Sequence, residues 1–332
     1  MIRKIVLAVA LLAMAASRPA AAADKLVIGL PGVPPIFATT LFYVAKNEGF
    51  YKKYGVDAEN RQFDSGTAAA RAVASGSIDT SLSPTGLIVN QVANAGVPVM
   101  AYLGYPNPDW AIGTTNAQKA TCKDMTGQQV GVDTPGGARS IALKEMLLGC
   151  GSSIDKVQQV GLGSNTAPAM MAGQISYGVL HLDDVPQIES SGKKVTIITN
   201  LAKTNPTSHY LLVVARKDRI AQKRDAFVRL DAALIAAAHF MNDPKNADKV
   251  AAIASQITGR DKKIAKGALE RFLGIGFWPV NEDGMARKKI EAVVATQKKI
   301  GNIKQGKTPP TYEQLVDASI WRDANAMYKK QH

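Results

Sequence analysis

The feature that most limits the fold is a change of periodicity about two thirds of the way along the chain. Short apolar runs of strand type recur at 26–30, 56–62, 97–103, 128–132, 177–180, 195–198 and 210–215. Helical stretches at 40–53, 67–75, 86–95, 138–148, 167–172 and 185–190 separate most of them. A strand followed by a helix, repeated in this way, predicts α/β units on mostly parallel sheets. Beyond residue 215 the apolar spacing becomes purely helical. Phe227, Leu230, Leu234, Ala238 and Met241 fall on one face, and Ile290, Val293, Val294 and Ile300 nearly so. Helices alone are expected from residue 219 on, with breaks near Pro244, Gly259, 279–281 and 306–310.

A short internal echo adds a second layer. Residues 74–79, Ala-Ser-Gly-Ser-Ile-Asp, resemble residues 171–176, Met-Ala-Gly-Gln-Ile-Ser, and each leads from a short helix into a short strand, 80–83 or 177–180. Later, Gly96-Val-Pro-Val and Gly192-Lys-Lys-Val each open the next strand. Two similar α/β lobes explain the repeat.

The amino terminus carries Arg3 and Lys4, an apolar run at 5–16 and small residues at 20–23. That order predicts a cleaved secretory signal at 1–23. The run is too short for the roughly 20 residues of a membrane span. The expected product is therefore soluble and outside the cytoplasm. The chain bears 40 Lys+Arg against 27 Asp+Glu, a net charge of +13. Removing Arg3, Lys4 and Arg18, with no acids, leaves +10 spread along a secreted chain, so a nucleic-acid partner is not expected. In an oxidising compartment Cys122 and Cys150 are disulfide candidates. Cys122 precedes the strand expected at 128–132 and Cys150 ends the helix that runs back from it, which favours a bridge over two free buried thiols.

Catalytic patterns are missing. The chain has no G-x-S-x-G elbow, no phosphate-binding G-x-x-x-x-G-K-[ST] loop, no H-E-x-x-H, and four histidines without metal-ligand spacing. No cofactor, no metal and no enzymatic activity are expected. The informative positions are loops leaving strands and entering helices, where open α/β sheets bind ligands. One runs from Pro34 and Pro35 through Phe37 to Thr39, the second covers Ser65, Gly66 and Thr67, and the third Ser83, Pro84 and Thr85. The fourth holds Gly136, Gly137, Arg139 and Ser140. Each loop could equally be a helix cap, but four of similar composition point to a shared cleft. Arg139 suits a carboxylate or sulfonate and would otherwise be solvated. His181 with Asp183 and Asp184 leaves another strand end as a polar wall, and Phe37, Tyr105 and Trp110 could supply apolar faces or pack in the core.

The segments 42–56 (Phe-Tyr-Val-Ala-Lys-Asn-Glu-Gly-Phe-Tyr-Lys-Lys-Tyr-Gly-Val), 74–79, 96–99 and 125–132 (Met-Thr-Gly-Gln-Gln-Val-Gly-Val), in that order, resemble a known family. It is the periplasmic substrate-binding proteins of ABC importers in the nitrate/sulfonate/taurine group, the SsuA/THI5-like proteins. The resemblance implies a type II periplasmic binding fold, two α/β lobes joined by a hinge of two crossovers, with a helical carboxyl-terminal region. It places lobe one at 24–105 plus 209–332 and lobe two at 106–208. It also implies a monomer that holds a small organic anion between the lobes and hands it to an inner-membrane ABC permease. The family's contacts fall by position on 35–39, 65–67, 83–85 and 136–140. The apolar first loop and the acids at 183 and 184 depart from a nitrate or simple sulfonate site. An aromatic carboxylate or polar heterocycle fits them at least as well. The same family implies two alternatives: a ligand sensor for a membrane receptor, or a THI5-like pyrimidine-synthesis enzyme. The enzyme branch uses a cysteine-rich iron motif that two cysteines cannot form.

Overall fold

The computed structural model describes residues 25–332; the secretory segment expected at 1–23 lies outside them. The first sheet holds β1 (Lys25–Pro31), β2 (Asp57–Phe63), β3 (Thr80–Pro84), β4 (Val99–Tyr105) and β10 (Leu211–Arg216), in the order β2-β1-β3-β10-β4. The second holds β5 (Ala111–Thr114), β6 (Gln129–Val132), β7 (Gln158–Gly161), β8 (Tyr177–Leu180) and β9 (Thr196–Asn200), in the order β7-β6-β8-β5-β9. Each sheet has parallel pairs on one side and one reversed strand, β10 or β5, inserted antiparallel between two others. The two sheets thus share one plan, and the chain crosses between them after β4 and after β9.

The echo has a packing cause. β1 pairs with β3 at Gly29↔Ser81 and β6 pairs with β8 at Gly131↔Gly178. A Cβ at Gly29 would lie 2.5 Å from Cδ1 of Ile78, and one at Gly131 would lie 2.6 Å from Cδ1 of Ile175. The isoleucine common to both repeats therefore fills the space that a strand glycine leaves open in each lobe.

Most expected elements are present with ends shifted by a residue or two. The single helix expected at 40–53 is two, Thr40–Asn47 and Phe50–Lys53, because Gly49 adopts a left-handed φ of 76° between them. β5 and β7 were not expected. The former is four residues long, and the latter is an edge strand without an apolar run. The helical last third packs on the first sheet. Helix Arg224–Asn242 buries Phe227, Leu230, Leu234, Ala238 and Met241, as its spacing requires, and helix Ala318–Lys329 lies along it. Helix Ala247–Thr258 ends at Gly259 with φ 70°, and Asp261 caps the next helix, Lys262–Gly274. Cys122 and Cys150 are joined as a disulfide. No helix among the described residues is long and apolar enough to cross a membrane.

Candidate functional site

Strands of both sheets end around one cavity of about 200 Å3. Pro31 ends β1, Asp64, Ser65 and Gly66 follow β2, and Pro84 ends β3. From the second sheet, Asp133 and Thr134 follow β6, Gly163 and Ser164 follow β7, and His181 follows β8. Trp110 and Tyr210, at the two crossovers, pack edge to face with ring centroids 5.4 Å apart. With Ile36 and Leu211 they make the wall largely apolar. A second recess of about 150 Å3 adjoins it across Ile36, Arg139, Ser164 and His181, and reaches Pro35, Asp183, Asp184 and Arg260.

The charged groups are heavily committed to one another. Arg139 is buried; its Nη1 donates to the Val179 carbonyl at 3.0 Å, and its Nη2 meets Asp184 at 3.3 Å. Its guanidinium also lies over Trp110, 5.6 Å from the ring centroid. Arg260 reaches in from the helical last third, with Nη2 2.7 Å from Asp183 and 2.9 Å from Asp184, and Nη1 donating to the Asp183 carbonyl at 2.8 Å. It also donates to Gln187. The His181 imidazole sits 3.8 Å from the Trp110 ring, with Nδ1 2.8 Å from Asp109.

Burial shapes how these groups ionise. It opposes charge on His181, yet the adjoining Asp109 outweighs it and holds the imidazole above its ordinary value. Burial raises Asp183, and Arg260 offsets only part of that; on Asp184, burial is outweighed by Arg139 and Arg260 together, leaving it below the usual carboxylate range.

The helix start at 136–140, expected to receive an anion, is closed by the chain itself. One Asp133 carboxylate oxygen accepts from Ala138 N at 2.8 Å and the other from Arg139 N at 3.2 Å. Gly137 permits this, since a Cβ there would lie 2.6 Å from the carboxylate. Gly136 turns with φ 79°, and its N–H donates to Ser140, whose hydroxyl donates to Gln159. The Gly136-Gly137 pair and Ser140 thus build an internal cap, with Ala138 and Arg139 the members of that turn on the cavity wall.

Other expected contacts are also structural. Phe37 lies in the core, 4.9 Å from the Phe272 ring, and Thr39 donates to the Ile36 carbonyl at 2.7 Å. Ser83 pairs with Ser81 at 2.8 Å. Thr85 donates to His209 Nδ1 at 2.8 Å while the opposite ring nitrogen donates to the Gly284 carbonyl at 2.6 Å. Burial pushes His209 down to about 4, which keeps it in that neutral form. Thr67 lies in the first turn of helix Gly66–Ala74 away from the wall, whereas Ser65, which caps that helix through Ala68 N at 3.2 Å, and Gly66 are on it. Pro35 and Asp183 line the adjoining recess. Sequence reasoning passed over Tyr210, Asp133, Ser164 and Arg260. An acid directly after a strand and before a Pro-Gly-Gly turn was a readable cap signal for Asp133; nothing local marks Arg260.

A family model described as NMT1/THI5 like matches residues 37–247. A Brucella abortus protein named "putative binding protein" is 25% identical over 264 residues, covering 75% of this chain and 76% of the relative. Among solved structures, the periplasmic nitrate-binding protein NrtA of Synechocystis PCC 6803 is similar with a TM-score of 0.73 and 14% identity, over 92% of this chain and 89% of that one. The alkanesulfonate-binding protein SsuA of Xanthomonas axonopodis pv. citri, bound to MOPS, reaches 0.71 and 16%, over 90% and 99%. The fold is the two-lobed, type II periplasmic binding fold that these likenesses carry.

Proposed function

This chain belongs to the NMT1/THI5-like family, and from that premise we propose that it is the extracytoplasmic solute-binding component of an ABC importer. It captures one small solute between its lobes, without turnover, and delivers it to a membrane permease. The single observation behind the reading is the cavity formed where strand ends of both sheets meet under the Trp110–Tyr210 pair. We place the lobe boundaries at the crossovers, with 25–105 and 209–332 in one lobe and 106–208 in the other. Closing such lobes over a solute is a hinge motion, and Arg260, reaching from the first lobe to Asp183 and Asp184 of the second, is suited to secure it. The protein acts as a monomer in the periplasm. The similar structures include a nitrate-binding and an alkanesulfonate-binding protein. A small organic anion, the class that the sequence suggests, would find the buried Arg139 and the helix start at 137–139 already occupied by Asp184 and Asp133.

The test is a deletion strain supplied with the solute that mass spectrometry identifies in the gently purified protein. Loss of uptake, restored by the wild-type chain, is the expected result. Normal uptake with a lost behavioural or transcriptional response would instead assign the protein to sensing.

A further inference from the structure

Building on the reading of this cavity as the solute site, we infer that its ligand is a planar aromatic molecule carrying a positively charged nitrogen. Its ring lies against Trp110 and Tyr210, and its nitrogen faces Asp133 and Asp64. Both basic groups of the wall are spent on internal acids: Arg139 on Asp184 at 3.3 Å, His181 on Asp109 at 2.8 Å. The two remaining wall carboxylates, Asp64 and Asp133, have no basic partner among the described residues. Asp133 also neutralises the positive end of helix Ala138–Gly149. An entering anion meets Asp64, which has no basic partner, and finds the start of helix Ala138–Gly149 taken by Asp133; an entering cation meets both carboxylates and aromatic faces. Of the remaining wall, Pro31, Ile36, Pro84 and Leu211 are apolar, beside the hydroxyls of Ser65, Thr134 and Ser164. A cavity of about 150 Å3 holds benzene, so the roughly 200 Å3 available here accepts one substituted ring.

The experiment uses the mature chain and three probes that share a ring and differ in charge: benzylammonium, benzyl alcohol and benzoate, titrated calorimetrically at pH 7. Benzylammonium is expected to bind at least tenfold more tightly than benzyl alcohol and than benzoate. Asp133→Asn, which retains a capping oxygen, is expected to shrink that preference about tenfold. Asp64→Asn, at an exposed position, repeats the test should Asp133→Asn fold poorly. Benzoate or benzyl alcohol binding as tightly as benzylammonium overturns the inference while leaving the cavity as the solute site. Binding by none of the three overturns it as well. In that event, a native-mass adduct from cell extract that Trp110→Ala abolishes preserves the underlying reading, and no adduct at all removes that reading too.

Discussion

Replacing Arg260 with alanine separates a lobe latch from an ordinary stabilising ion pair. Its guanidinium contacts Asp183 at 2.7 Å and Asp184 at 2.9 Å, and its side chain is only 14% exposed. Removing one partner of a buried pair costs about 3–5 kcal/mol when the other charge stays buried. Here Asp184 keeps Arg139 and the His181 N–H at 2.9 Å, so the lower end applies. The remaining cost is avoidable, because parting the lobes returns Asp183 to water. About 3 kcal/mol therefore falls on the approached arrangement of the lobes rather than on folding, and solute affinity drops roughly a hundredfold. Small-angle scattering should report a larger radius of gyration for the variant, calorimetry the weakened binding, and the melting temperature of the solute-free protein should move little. A fall of many degrees in melting temperature, with unchanged scattering and affinity, would refute the latch and leave Arg260 a structural residue.

Three further outcomes follow from the packing. The Cys122–Cys150 bridge spans 28 residues of sequence, so a Cys122→Ser/Cys150→Ser variant should lose about 3–4 kcal/mol and roughly 10 °C in melting temperature by calorimetry. Gly29→Ala and Gly131→Ala should each cost about 1–3 kcal/mol in denaturant titration through overpacking on Ile78 and Ile175, with partial recovery on adding Ile78→Val or Ile175→Val. Burial raises Glu145 to about 7 from an ordinary 4.5, against hydrogen bonds from Asn205 and Gln297. A carboxyl raised in the folded state stabilises fully below about pH 4.5 and loses that contribution as pH rises through about 7. Glu145→Gln should flatten a decline of at most about 3 kcal/mol over that window.

The architecture was legible because its determinants are local and periodic. Apolar runs of strand length mark β1, β4 and β10, and 3.6-residue spacing marks helix Arg224–Asn242. The missed β7 is an edge strand of sequence Gln-Gln-Val-Gly, whose pairing depends on β6 rather than on its own composition. The site was less legible. The loops at 65–66, 84 and 139 do converge, since strand ends fix loop position. What each hydroxyl or charge does there depends on partners remote in sequence. Ser83 finds Ser81, Thr85 finds His209, and Arg139 finds Asp184. A hydroxyl near a helix start has the same sequence signature whether it binds solute or neighbour. The Asp133 cap could have been read locally; the reach of Arg260 into the second lobe could not.

The central claim, that one solute is held between the lobes, is tested most directly by native mass spectrometry of the mature protein after incubation with a small-molecule extract and gentle desalting. The account predicts a single adduct of small-molecule mass that disappears on denaturation and is lost in Trp110→Ala. A native mass equal to that of the bare chain, with no adduct at any extract concentration, would contradict it.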